Sequence, residues 1–145
     1  MTMKKEDILN AYALVNGAKL TKLEDEAKFK VIKACKAMKP IVEELEAFEK
    51  DAREKLKGEK HEEYLKSAQK WQEEGEKTTL TIDERKELNE YFGGYNAKVK
   101  KCVNDEFEIE ITLDYERLTA DEVKKLVSSN DWNVAQTIAV MAVVE

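Results

Sequence analysis

With 145 residues the chain has room for one domain with a real core, and 39% charged beside 42% hydrophobic residues is the composition of a soluble helical protein and not of a disordered one. The net charge of −6 is unevenly spread: residues 1–40 carry nine lysines against five acids, whereas residues 41–145 carry 16 basic against 26 acidic side chains. That balance argues against nucleic acid as a partner and gives the chain an end-to-end polarity that bears on steering. No apolar run is long enough to span a bilayer, and the polar start Met-Thr-Met-Lys-Lys contains no signal-peptide segment, so a cytoplasmic location and no membrane partner are expected.

The first expected element is a helix from about Lys5 to Asn16, with Ile8, Tyr12 and Val15 on one face and Gly17 placed for a left-handed cap. Thr21 followed by Glu24 reads as a capping box that opens a long helix reaching Leu56. In it Val31, Cys35, Met38, Ile41, Leu45, Phe48 and Ala52 alternate spacings of four and three, a seam that asks for a partner helix. Pro40 removes one backbone bond, but the seam keeps its phase across it, which predicts one kinked helix and not two. Lys33, Lys36 and Lys39 fall opposite the seam as a solvated face.

Gly58 should end this helix, and Glu59–Glu74 should form a polar one with Leu65, Ala68 and Trp71 inward. The β-branched run Thr78–Ile82 permits a short strand, while Thr81 with Glu84 permits a capping box; both readings stay open. A helix over about Ile82–Val103 carries a second seam, Leu88, Phe92, Tyr95, Val99 and Cys102. Gly93 and Gly94 lie in its middle among Tyr91, Phe92 and Tyr95, so a bend or a close approach to the backbone is expected, with these five residues as a candidate aromatic patch.

From Phe107 the period becomes two: Phe107, Ile109, Ile111, Leu113 and Tyr115 alternate with Glu108, Glu110, Thr112 and Asp114, the clearest strand signal in the chain. Its partner is to be sought in Thr78–Ile82, in the C-terminal segment or in another subunit. Thr119 with Glu122 is a capping box for a helix with Val123, Leu126 and Val127 inward, ending near Ser128–Asn130. The last segment, Trp132–Val144, has almost no polar face and reads equally as a helix or a buried strand. Trp132, Ile138, Met141 and Val144 are its candidate interaction residues.

The expected fold is mainly α: a long kinked helix in a helical hairpin or bundle over about 5–104, with one or two short strands and C-terminal helices over about 105–145, all in a single domain. Catalytic chemistry finds little footing. His61, the only histidine, sits in a charged run and reads as a solvated side chain, which leaves triads and cysteine-histidine dyads without a setting. Cys35 and Cys102 read as free buried thiols, too few for a zinc cluster or a disulfide framework. Glutamate pairs such as Glu43 with Glu46 lack the histidine that a di-iron bundle uses, and no phosphate-binding loop is present. The expectation is a protein without cofactor or metal and without enzymatic activity.

The order of a capped early helix, a long charged helix ending Ala47–Leu56, the run Phe107–Ile111, the motif Leu118-Thr119-Ala120-Asp121-Glu122 and an apolar end resembles small helical proteins encoded by tailed phages and prophages. The segment from Gly58 to Asn104 departs from that pattern as an insertion. The resemblance implies an accessory or assembly factor that binds a protein partner or itself as a homo-oligomer. An acidic mimic of nucleic acid that binds a basic protein is the alternative.

Overall fold

Turn and capping chemistry set most of the element boundaries in the computed structural model, which describes residues 2–145. The helices are α1 (Lys5–Val15), α2 (Asp25–Lys55), α3 (His61–Glu74), α4 (Ile82–Phe107), α5 (Ala120–Asn130) and α6 (Val134–Val144). Two short strands, β1 (Thr2–Lys4) and β2 (Glu110–Thr112), pair antiparallel with Thr2 opposite Thr112 and Lys4 opposite Glu110. The fold is mainly α with minor β, as the periodicities indicate.

Several boundaries differ from the sequence expectation for local physical reasons. Gly17 is not a left-handed cap, since Asn16 closes α1 in a right-handed conformation with its N–H on the Tyr12 carbonyl. Helix α2 begins at Asp25, not at Thr21. The Leu23 N–H bonds to the Leu20 carbonyl and the Leu23 side chain is buried, so residues 20–23 are spent on a turn before the helix can start. The helix then runs unbroken through Pro40. Thr78–Thr81 is not a strand: the Thr81 hydroxyl accepts the Glu84 N–H at 3.1 Å, so the capping reading holds and α4 opens at Ile82.

The strand expected over Phe107–Tyr115 is mostly something else. Phe107 ends α4, and only Glu110–Thr112 belong to the ladder, because the partner strand is three residues long. Alternation of half-buried and exposed side chains nevertheless continues from Ile111 through Arg117. The partner is none of the three segments considered but the N-terminal Thr2–Lys4, whose length is below what a period-two pattern can reveal.

The chain divides into two compact units, Met1–Ala47 with Asp105–Glu145, and Phe48–Asn104. The first unit holds the main core. Ile8, Ala11 and Val15 of α1, Ala27, Val31, Ala34, Met38 and Val42 of α2, and Leu126, Val140, Val143 and Val144 of α5 and α6 form one buried cluster with Leu118 and Val123. The seam of α2 therefore finds α1, α5 and α6 as its partners here, and its buried stripe follows the 3.6-residue period of a globular helix, leaving Cys35 and Ile41 half-buried. The last carbonyls of α6 are satisfied by the segment before α5. Leu118 N–H donates to Val144 at 2.7 Å, and both the Tyr115 hydroxyl and the Arg117 guanidinium reach the Val143 carbonyl.

In the second unit the buried side chains are few: Ala52, His61, Leu88, Val99 and Val103. Polar ties supplement them, including the Tyr95 hydroxyl on the Arg53 carbonyl at 2.6 Å.

Candidate interaction surfaces

Helix α6 is built to stand at a surface without charge. Asp131 closes α5 in a left-handed conformation, φ 54°, and Asn133 opens α6 with a full capping box: its side chain accepts the Gln136 N–H while Gln136 returns to the Asn133 N–H. Between Asp131 and Glu145 no residue is charged. One face of the helix is core, through Val140, Val143 and Val144, and the other is open: Val134 is 76% exposed, Ile138 62% and Met141 40%. These three lie at i, i+4 and i+7, a continuous apolar stripe, with Ala135 and Ala142 exposed beside it.

Of the four residues expected on this surface, Ile138 and Met141 are there. Val144 is not; at 1% exposure it belongs to the core, because the final turn of α6 is closed over by Leu118 and Tyr115. Trp132 is half-buried and packs on the core edge. Val134 is an addition that the all-apolar pattern could not single out, since only packing decides which side of such a helix is turned inward. Alongside the stripe, Ala120, Val123, Val127, Thr137 and Met141 line a groove of about 380 Å³ between α5 and α6, with Lys124 and Glu145 at its rim. Phe29 and Ile32 on α2 are further exposed apolar residues of the same unit.

The aromatic patch has a different character from the expected one. Tyr91, Phe92 and Tyr95 do come together, but around His61, which is 6% exposed and the one buried polar side chain among the described residues. The solvated role expected for His61 is thus overturned: α3 turns its first residue inward, and the rings of Tyr91, Phe92 and Tyr95 stand 5.6, 5.8 and 4.9 Å from the imidazole. Tyr91 Oη lies 2.5 Å from His61 Nδ1 and accepts the Gly58 N–H at 3.2 Å, which leaves the hydroxyl proton free to go to an unprotonated Nδ1. Tyr64 stacks on Tyr91 at 4.6 Å, and its hydroxyl donates to Glu87 at 2.6 Å; that bond to the carboxylate pushes the Tyr64 phenol up. Gly93 and Gly94 are not sites of close approach. Both are helical and exposed, and a Cβ on either would meet nothing within 4 Å.

A second face of this unit is an open groove of about 690 Å³ lined by Trp71, Ile82, Arg85, Lys86, Asn89 and Glu90. Among the described residues no three His, Cys, Asp or Glu side chains converge so as to hold a metal ion, and no helix is long and apolar enough to cross a membrane. Cys35 and Cys102 are free and half-buried, and burial pushes the Cys35 thiol up, away from the reactive thiolate.

The acidic run of residues 105–116 holds six carboxylates and no basic residue. Three of them are neutralised within the chain. Lys5 pairs with Glu106 at 2.5 Å, Lys4 with Glu108 at 2.6 Å, and Lys30 with Glu116 at 3.6 Å. Lys30 also meets Glu122 at 2.9 Å. No protein-family model, curated protein or solved structure matches the chain.

Proposed function

We propose that this chain is a non-enzymatic interaction and assembly protein that works through the open face of α6, with a second copy of itself as the occupant. The observation that carries this reading is the stripe of Val134, Ile138 and Met141 on a helix with no charge from residue 132 to 144, in a chain 39% charged. An apolar patch of that kind on a polar molecule marks a surface meant to be covered.

The sequence of the stripe favours a two-fold partner. When two α6 helices cross antiparallel about Ile138, that residue meets its own copy at the centre, while Val134 falls opposite Ala142 of the second copy and Met141 opposite Ala135, so large residues meet small ones on either side. Self-complementarity of one patch is what an isologous dimer requires. The α5–α6 groove beside the stripe extends the apolar surface such a partner could cover. The resemblance to phage and prophage proteins supplies the context, an accessory or assembly factor working in the cytoplasm of a host cell.

Sedimentation of the protein over a range of concentrations tests the reading. Wild-type protein should sediment as a dimer or larger assembly and the Ile138→Asp variant as a monomer of unchanged helicity, whereas Lys36→Ala, at an exposed position of α2, should behave as wild type. The acidic-mimic alternative is less favoured, because half of its densest carboxylate run is already paired to the chain's own lysines.

A further inference from the structure

The outer edge of β2 is an open template. Lys5 N–H donates to the Ile109 carbonyl at 3.0 Å, so in this antiparallel ladder the odd-numbered residues turn their backbone groups toward β1 and the even-numbered ones turn theirs away. Among the described residues β2 has β1 as its one neighbour in the sheet. Among the described residues the N–H and carbonyl groups of Glu110, Thr112, Asp114 and Glu116 find no partner in the chain, and all four residues are exposed. The in-and-out alternation persists to Arg117, well past the end of the ladder, so the edge is longer than the strand that now pairs with it.

We propose that this edge takes an added strand: an extended basic peptide in which lysine or arginine alternates with apolar residues. Main-chain bonds to residues 110, 112, 114 and 116 would hold it, as in other strand additions. Its basic side chains would stand beside Glu110, whose cross-strand neighbour Lys4 is already bonded to Glu108, and beside Asp114, which pairs with no lysine among the described residues. Its apolar side chains would cover Ile111, Leu113 and Tyr115, which are only half-buried as they stand. β1 shows the same recognition on the other edge, with Met3 buried opposite Ile111 and Lys4 turned out to Glu108. A second copy of β2 does not fit, because it would set carboxylates opposite carboxylates. This surface is distinct from the stripe on α6, and the inference stands or falls independently of the dimer.

The probe is a short synthetic peptide of alternating lysine and valine, added to the full-length protein while amide hydrogen exchange is followed residue by residue. Exchange should slow at Thr112, Asp114 and Glu116, and binding should weaken with salt. The exposed substitution Asp114→Lys should weaken binding roughly tenfold while the fold is kept, and Ile138→Asp should leave it unchanged. A glutamate–valine peptide, and the lysine peptide with alternate amides N-methylated, should not bind. Unchanged exchange at those three amides, or equal binding of the N-methylated peptide, would overturn the proposal and leave the carboxylates as guards that keep the edge from aggregating.

Discussion

His61 and Tyr91 show how a single contact can reverse the reading of a residue. In the sequence His61 is flanked by Lys60 and Glu62, and nothing local marks it as buried; the rings that enclose it come from α4, some thirty positions away. Tyr91→Phe removes the bond to Nδ1 and strands a buried nitrogen, which should cost about 1–3 kcal/mol in urea unfolding. His61→Ala combined with Tyr91→Phe should cost less than the sum of the two, since both delete one interaction; strict additivity would show that the bond contributes nothing. Glu122 was legible, because its capping box is written within four residues. The backbone N–H of Thr119 and then Lys30 hold its carboxyl below the ordinary 4.5. A depressed carboxylate contributes stability above its unfolded value and loses it as pH falls through the folded one. Stability should therefore drop as pH falls below 4.5, and Glu122→Gln should flatten that acid limb, as read from urea midpoints across pH.

Elements were legible where their signal is local and long. The two helices that carry the seams, the break at Gly58 and the box at Thr119 all appear where the spacing puts them, while the buried stripe of α2 drifts off its seam onto Ala34 and Val42. The misses share a cause: they depend on what another part of the chain does. The span of β2 is set by the three residues of β1, and the start of α2 by a turn around buried Leu23. Gly93 and Gly94 are the instructive case. Glycine in mid-helix suggests a close neighbour, yet the space where a Cβ would stand is empty at both. Gly93→Ala and Gly94→Ala should each stabilise the protein by about 1 kcal/mol, through helix propensity alone. Thermal melts can check this, and a loss of stability in either variant would mean that something does occupy that flank of α4.

At the scale of the molecule, the sequence gives the composition of a helical protein and the unequal placement of its apolar residues, but not which side of α6 is turned outward. That choice is made by packing against α1, and it leaves Val134, Ile138 and Met141 in the open while drawing Val144 into the core. The proposed dimer rests on one surface, the uncharged stripe of Val134, Ile138 and Met141 on an otherwise polar chain. The most direct test is sedimentation equilibrium of the wild-type and Ile138→Asp proteins side by side. The first should form a concentration-dependent dimer or larger assembly and the second should stay a folded monomer. A wild-type protein that stays monomeric throughout, or a variant that assembles just as well, would contradict the proposed dimer.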